Sequence, residues 1–377
     1  MVIVFAPALS PADAASRPRA IATWLFVVAA LVFAMVVVGG ITRLTESGLS
    51  ITRWNVVSGT LPPIGDAAWA AEFDAYRLSP QYRLLNQGMD IAAFKHIFFW
   101  EYLHRLLGRV IGLAAALPLA WFWLRRAIPA GYKPRLLAIV ALIGLQGTLG
   151  WRMVASGLQG EHIAVEHLWL AAHLFTALTI LAAFVWTALD LRRNPLPVIP
   201  AQAGIHRRNA GAMDPRLRGD DGGRNGLARP DTWVIPFGIL LAVQIIWGAF
   251  VAGMRAGHVS DTWPLMFGQL VPAGLFTTAA DLIDSPLTVH FLHRTLAIVV
   301  ALAALHIAAK LWRAGARPRA LALGGAVVAQ FALGVLTVVN GVPIPLGVAH
   351  QACGALLVAA TAWAAHWAMQ GGAVQRV

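Results

Sequence analysis

Eight stretches of this chain are long and apolar enough to cross a lipid bilayer, and no other feature limits its fold as much. A span needs about 20 predominantly apolar residues. The stretches 21–40, 97–124, 134–154, 163–189, 233–253, 286–311, 319–339 and 345–369 meet that requirement. The first is too long for the apolar part of a signal peptide and lacks a clear small-residue cleavage site, so it is predicted to remain as a helix. Asp, Glu, Lys and Arg make up only 12% of the 377 residues, about half the share in soluble domains. A soluble globule, a fibrous protein and a disordered chain are therefore excluded. The predicted fold is all-α: a polytopic membrane protein of eight transmembrane helices. The lone cysteine, Cys353, excludes a disulfide framework within the chain, a CxxC redox centre and a cysteine-rich metal site.

The formal net charge of +12 suggests nucleic acid until the basic residues are placed. Arg17 and Arg19 precede the first span, and Arg125, Arg126, Lys133 and Arg135 lie between the second and third. The segment between the fourth and fifth spans is the richest in arginine, and Lys310, Arg313, Arg317 and Arg319 lie between the sixth and seventh. The opposite side carries far fewer: Arg43, Arg53, Arg77, Arg83, Lys95, Arg152 and Arg255. The basic side is predicted to be cytoplasmic. Both termini then lie on the cytoplasmic side of the membrane, the charge is an orientation signal facing membrane lipid, and nucleic acid is not expected as a partner.

This division gives a cytoplasmic tail at 1–20 and a first four-helix bundle at 21–190, which includes an outer loop at 41–95. A linker at 191–232, a second four-helix bundle at 233–370 and a tail at 371–377 follow. Within the linker, 194–230 is rich in Pro, Gly and Arg without periodicity, resembles translated palindromic repeats inserted in proteobacterial genes, and is expected to be disordered; His206 lies there and is discounted. The outer loop is expected to form short helices with a functional role.

The two bundles repeat each other. EYLHRLLG at 101–108 matches HFLHRTLA at 290–297, aligning His104 with His293 and Arg105 with Arg294. AHLFTAL at 172–178 parallels AHQACGAL at 349–356, aligning His173 with His350. VVGGITR at 37–43 resembles FVAGMR at 250–255, and 145–158 resembles 329–342. The expected arrangement is two bundles in parallel, related by a pseudo-twofold axis along the membrane normal.

His104, His173, His293 and His350 all lie on spans predicted to run from outside to inside, about 10–15 Å below the outer end at 1.5 Å per residue. Imidazole suits haem iron, zinc and copper. Structural zinc wants four ligands, whereas two histidines on facing helices with an apolar slot between them suit a haem. Against this stands the reading of each histidine as an ordinary hydrogen-bonded core residue. His306 and His366 have no repeat partner and are read as structural, His96 and His258 as solvated, and His167 as a rival to His173. Gly108, Gly112, Gly147, Gly150, Gly334 and Gly354 would allow helices to approach closely.

Glu101 precedes His104 by three residues and shares its helix face, while its repeat counterpart is His290. One bundle therefore has histidine plus carboxylate and the other histidine plus histidine, as expected if one does chemistry and the other holds a cofactor. An acid inside a span is a functional hypothesis by default, and burial makes proton transfer an option. The plainer reading is a pair with Arg105 or a loop arginine. Arg43, Arg53 and Arg255, just outside spans, either clamp propionates or are simply solvated. Arg105 and Arg294 either reach propionates or snorkel to the interface.

Taken together, GGITRLTESGLSITRWNVVSGTLPPI at 39–64, EYLHRLLGR at 101–109, LQGTLGWRMVASGL at 145–158, HLWLAAHL at 167–174, HFLHRTLA at 290–297 and AHQ at 349–351 resemble the haem A synthase family, in its alphaproteobacterial and mitochondrial branch. The resemblance covers nearly the whole chain outside 190–232. It implies eight helices in two pseudo-twofold bundles and oxidation of the C8 methyl group of haem O to a formyl group. It also implies substrate-haem ligands His104 and His173, a haem b cofactor on His293 and His350, and a catalytic role for Glu101 with His104. Partners implied are haem O, a haem O synthase, an electron donor (ferredoxin-like or other) and a second copy of the chain. The paired outer-loop cysteines of another branch are missing, so a mechanism that needs them is excluded. A dihaem electron carrier of the cytochrome b type would use the same four histidines without altering a haem. A transporter would show broken helices and midplane charges, and a prenyltransferase would show clustered aspartates, whereas Asp281 and Asp284 stand alone.

Overall fold

The computed structural model of the protein describes residues 16–54, 58–159, 163–193 and 232–370. Among these, eight long helices account for the eight apolar stretches: α1 (Pro18–Leu44), α2 (Ile91–Leu124), α3 (Tyr132–Gly157), α4 (His167–Arg192), α5 (Val234–Gly253), α6 (Pro286–Arg313), α7 (Arg317–Val339) and α8 (Ile344–Met369). Each is long and apolar enough to cross a membrane, and the described residues contain no strand, only an isolated bridge between Met266 and Gln269. Helix is the form an isolated span must take, because lipid offers no partner for a free backbone N–H or C=O. The chain is an all-helical, multi-pass membrane protein. The linker 194–230 with His206, and also His162, lies outside the described residues.

Helix ends depart from the hydropathy limits where polar turns continue a helix. α2 starts at Ile91 rather than 97, because the Asp90 side chain accepts from the Ala93 N–H and caps it. Its 34 residues make about 51 Å at 1.5 Å per residue, well beyond a hydrocarbon core of about 30 Å. α1 runs on to Leu44, so Arg43 sits in its last turn rather than beyond its end.

α1 is the central helix. Ile21, Leu25, Val28 and Val32 repeat at helical spacing along it, and all are buried. It packs on α2, α4 and α8, and the halves also meet where α4 contacts α5 and α8. Within each half, consecutive helices pack alike: α1 on α2, α2 on α3 and α3 on α4, as α5 on α6, α6 on α7 and α7 on α8. The halves differ in that α1 lies along α4, whereas α5 barely touches α8.

The loop between α1 and α2 forms the expected short helices, Asp66–Arg77 and Pro80–Leu84, after a 3-10 turn at Ser47–Leu49. They enclose a small aromatic core of Phe73, Tyr76, Phe94 and Phe98 with Ile97. Burial holds the Tyr76 phenol above its ordinary range, and its hydroxyl donates to Gln81 Oε1 at 3.0 Å. Gln81 in turn donates to the Glu46 carbonyl at 2.9 Å, tying this layer to the end of α1.

At the other end of the bundle, Asp190 of α4 pairs with Arg135 of α3 and takes His366 and Gln370 at 2.7 and 2.9 Å. His366 is buried against Trp186, the structural role expected of it. His306, also expected to be structural, instead lies on the exposed face of α6.

Candidate functional site

Each of the four repeat-matched histidines lies against a glycine of the helix before it. A methyl group added at Gly39 of α1 would stand 3.0 Å from Cε1 of His104 on α2, and one at Gly150 of α3 would stand 2.9 Å from Cε1 of His173 on α4. The same holds at 2.8 Å for Gly248 of α5 with His293 on α6, and at 2.9 Å for Gly334 of α7 with His350 on α8. Nδ1 is the next ring atom in every case, so the four imidazoles present the same edge to their glycines. A side chain at any of these glycines would push the ring away. Gly354 packs on Gln330 and Gly108 on Met35, whereas Gly112 and Gly147 face open space.

Three of the glycines follow a glutamine by one helical turn. Gln146 Nε2 lies 3.1 Å from His173 Nδ1 and donates to the His173 carbonyl at 3.0 Å. Gln244 repeats this at His293 with 3.0 and 3.2 Å. Gln330 Nε2 lies 3.3 Å from His350 Nε2. The fourth place, one turn before Gly39, holds Met35.

The His293 and His350 rings face each other with centroids 6.4 Å apart and planes at 86°. Two imidazoles sharing one metal, at about 2 Å per metal–nitrogen bond, have ring centres about 6 Å apart. In addition, the Oε1 atoms of Gln146, Gln244 and Gln330 are all buried with no hydrogen-bond partner among the described residues, and an imidazole bound to metal through Nε2 would offer an Nδ1–H donor to Gln146 and to Gln244, which lie against Nδ1. The donor set and spacing fit a haem iron.

His104 and His173 line one cavity of about 410 Å³ enclosed mainly by α1 to α4, within the size range of small-molecule sites. Val32, Met35, Ile143 and Leu174 give it an apolar wall, while Glu101, Arg105, Arg43 and Arg255 lie at its polar parts. His167 lies outside it. Its ring packs edge-on to Phe250 and faces Asp284 at 3.5 Å, because Gly253 lets the backbone of α4 come close at that point. His96 and His258 are exposed, as expected.

Glu101 is buried and fully bonded. Arg105 donates to Oε1 through Nε at 3.0 Å and Nη2 at 2.5 Å. The Ser50 hydroxyl and the Ile51 N–H both donate to Oε2 at 2.7 Å. Four donor groups from three residues converge on its two oxygens, and the Ser50 hydroxyl also lies 3.4 Å from the Ile97 carbonyl. The acid thus pins the segment after α1 to α2. His290 has the counterpart bond: Arg294 donates through Nε to His290 Nε2 at 3.0 Å and through Nη2 to the Ser260 carbonyl at 3.0 Å. Arg105 likewise reaches the Ile51 carbonyl at 2.8 Å and the Arg53 carbonyl at 3.1 Å.

Of the arginines proposed for propionates, Arg43, Arg105, Arg255 and Arg294 have protein partners on part of each guanidinium. Arg43 caps α5 through the carbonyls of Ala252 and Gly253 at 2.8 and 3.0 Å, a cation where a helix dipole favours one. Arg255 pairs with Glu46 at 2.6 Å, and the Arg53 side chain is exposed. The glutamines, Gly39, Gly248 and Ser50 had no place in the reading of the sequence. The signal that could have found most of them is QxxxG, present at 146–150, 244–248 and 330–334.

The sequence matches the family described as COX15-CtaA, cytochrome oxidase assembly protein, over residues 22–362. It is 49% identical over 364 residues to a protein of Sphingopyxis alaskensis named Heme A synthase, covering 95% of each chain. It is 50% identical over 351 residues to one of the same name from Erythrobacter litoralis, covering 92% of this chain and 96% of the relative. A third of that name, from Rhodopseudomonas palustris, is 46% identical over 357 residues, covering 92% and 91%. A match over nearly the full length of the chain makes this protein a member of the COX15-CtaA family of cytochrome oxidase assembly proteins.

Proposed function

We propose that this protein acts in haem A formation, as its relatives' names indicate for them, and that it oxidises the C8 methyl group of haem O to a formyl group. The carbon passes through two hydroxylations, each taking one oxygen atom from O2 with two electrons and two protons and releasing one water, and giving first a hydroxymethyl group and then a geminal diol that loses water to leave the formyl group. The observation that carries this reading is the asymmetry between the halves. At one cavity a buried carboxylate, Glu101, sits one turn from His104, and at the matching place in the other half stands His290.

Substrate haem is held by His104 and His173, and a haem b cofactor by His293 and His350. When bound, haem b supplies one-electron chemistry. Gly39 and Gly150 set how deeply the two substrate-side imidazoles reach into the cavity. Glu101, neutralised by Arg105, fixes the segment from Ser50 to Arg53, whose neighbours Leu49 and Trp54 line the cavity, and presents a charge-balanced polar face to one side of the substrate. The apolar wall of Val32, Ile143 and Leu174 excludes water from a macrocycle. In this proposal the two sites lie in the periplasmic half of the inner membrane with both termini cytoplasmic. Haem O arrives from a haem O synthase, and electrons come from a separate donor.

The test is extraction and chromatography of the haems from protein purified after expression beside a haem O synthase. Haem A or its hydroxymethyl precursor together with haem b is expected. Haem b alone, at two per chain with substrate available, would overturn the reading in favour of an electron carrier.

A further inference from the structure

Gln146 and Gln244 make the same two contacts, one to the ring and one to the backbone carbonyl of the facing histidine. In each, the other amide atom, Oε1, is a buried acceptor without a partner among the described residues. Such an acceptor is costly to leave unmade, and the group already in contact with the amide is the histidine itself. When an imidazole ligates through Nε2 its proton sits on Nδ1, and an acceptor there fixes the tautomer and raises the basicity of the ligand. Turning the amide exchanges its oxygen and nitrogen without changing its shape, which places Oε1 on Nδ1–H and gives up the bond from the glutamine Nε2 to the histidine carbonyl, an acceptor that its own helix already supplies with a donor. The orphaned acceptor is thus satisfied only in the metal-ligating form of the ring.

His104 lacks this device. Its ring meets Gly39 as His173 meets Gly150, but Met35 stands where the glutamine would be. A thioether is a weak acceptor, and His104 Nδ1 is buried with no partner among the described residues. Gln330, in the corresponding place before His350, faces Nε2 instead and is left aside.

We propose that Gln146 and Gln244 are positioning residues that hold His173 and His293 in the ligating tautomer, and that Met35 leaves His104 as the exchangeable ligand of the substrate pair. This rests on the haem reading of the site given above. Loss of the weaker ligand opens the cavity on the helix that carries Glu101, so the substrate is held from the α4 side and reacts on the α2 side.

Two measurements on the full-length purified protein test this. The first is the midpoint potential of haem b, which needs no conversion of substrate. Gln244→Leu removes the acceptor and is expected to raise the potential. Gln244→Glu supplies a stronger acceptor and is expected to lower it. Opposite signs support the proposal, because a side chain that only fills space would not produce them; shifts of one sign, or none, overturn it. The second is carbon monoxide binding to the reduced protein purified after expression beside a haem O synthase. Met35→Gln is expected to weaken it about tenfold, the scale on which partners of metal ligands act. Unchanged affinity in a Met35→Gln protein with normal haem content overturns the assignment of His104. Extracting the haems from the same preparations separates the two readings: if only haem b is found, the proposed function fails, while the signs at Gln244 still decide the role of the glutamine.

Discussion

Glu46 and Arg255 hold the same place in the two halves of the chain, three residues off the register of the match between 37–43 and 250–255 that the sequence suggested, and are bonded to each other at 2.6 Å. Each follows the first long helix of its half, each adopts a left-handed backbone conformation, with φ of 57° and 53°, and each opens a 3-10 turn. Left-handed backbone at a side-chain-bearing residue costs on the order of 1–2 kcal/mol. Two such turns brought together give the halves a direct ionic link beside the Arg43 cap on α5. The pair is partly exposed, so its own contribution is modest, on the order of 1 kcal/mol or less. Reversing one charge places two cations in contact. Glu46→Arg is therefore expected to lower the thermal midpoint in detergent, and the double swap Glu46→Arg with Arg255→Glu to recover most of the loss. An additive double mutant would show that the contact carries no coupling.

Glu101→Ala leaves the Arg105 guanidinium buried without its acid, at a cost of about 3–5 kcal/mol. It also releases Ser50 and Ile51. Haem A formation is expected to fall below detection while haem b stays bound, since the bonds of His293 and His350 lie in the other half. Haem A produced at the normal rate by the purified variant would remove Glu101 from the mechanism.

The glycines offer a test that separates the halves. Gly248→Ala drives a methyl group into His293 and should strip haem b, a loss visible in the absorption spectrum. Gly39→Ala should spare haem b and weaken substrate binding at His104. Gly112→Ala meets open space and serves as the neutral control. Equal haem b content in Gly248→Ala and Gly112→Ala would mean that the close contact at His293 has no consequence.

Asp190 ties α3, α4 and α8 at the end of the bundle away from the four histidines. Asp190→Leu leaves buried His366 and the Arg135 guanidinium short of an acceptor, a loss of about 1–3 kcal/mol. The midpoint of thermal unfolding should drop while the haem spectrum of the surviving protein stays that of the parent. A changed spectrum at unchanged stability would contradict a purely structural role.

The sequence read well wherever a property belongs to one helix, and poorly wherever it belongs to a pair. The alignment of His104 with His293 and of Glu101 with His290 came from short local motifs, and the bonds Glu101–Arg105 and His290–Arg294 repeat in the structure as that alignment implies. Glu101 read either as an acid for proton transfer or as a partner of Arg105; the pair is present, while Ser50 and Ile51 were not foreseen, because they lie far away in the chain and on a different element. Gly112 and Gly147 looked as suited to close packing as Gly150, yet only Gly150 meets a neighbour. The arginines gave the least away. Arg43 and Arg255 found protein carbonyls and a carboxylate that no sequence pattern marks.

By itself the sequence determined that there are eight spans, that the chain is helical throughout them, and that its two halves carry matched histidines. Those properties follow from the length of each apolar stretch and from the need of every backbone group in lipid for a partner within its own helix. Only the tertiary structure decided that α1 lies at the centre, which glycine faces which histidine, and where the carboxylate of Glu101 is spent. These are matters of how far each helix is rotated about its own axis and how closely two helices approach. Helices that are apolar on nearly every side carry little record of either, because lipid and protein neighbours reward the same residues and only packing tells them apart.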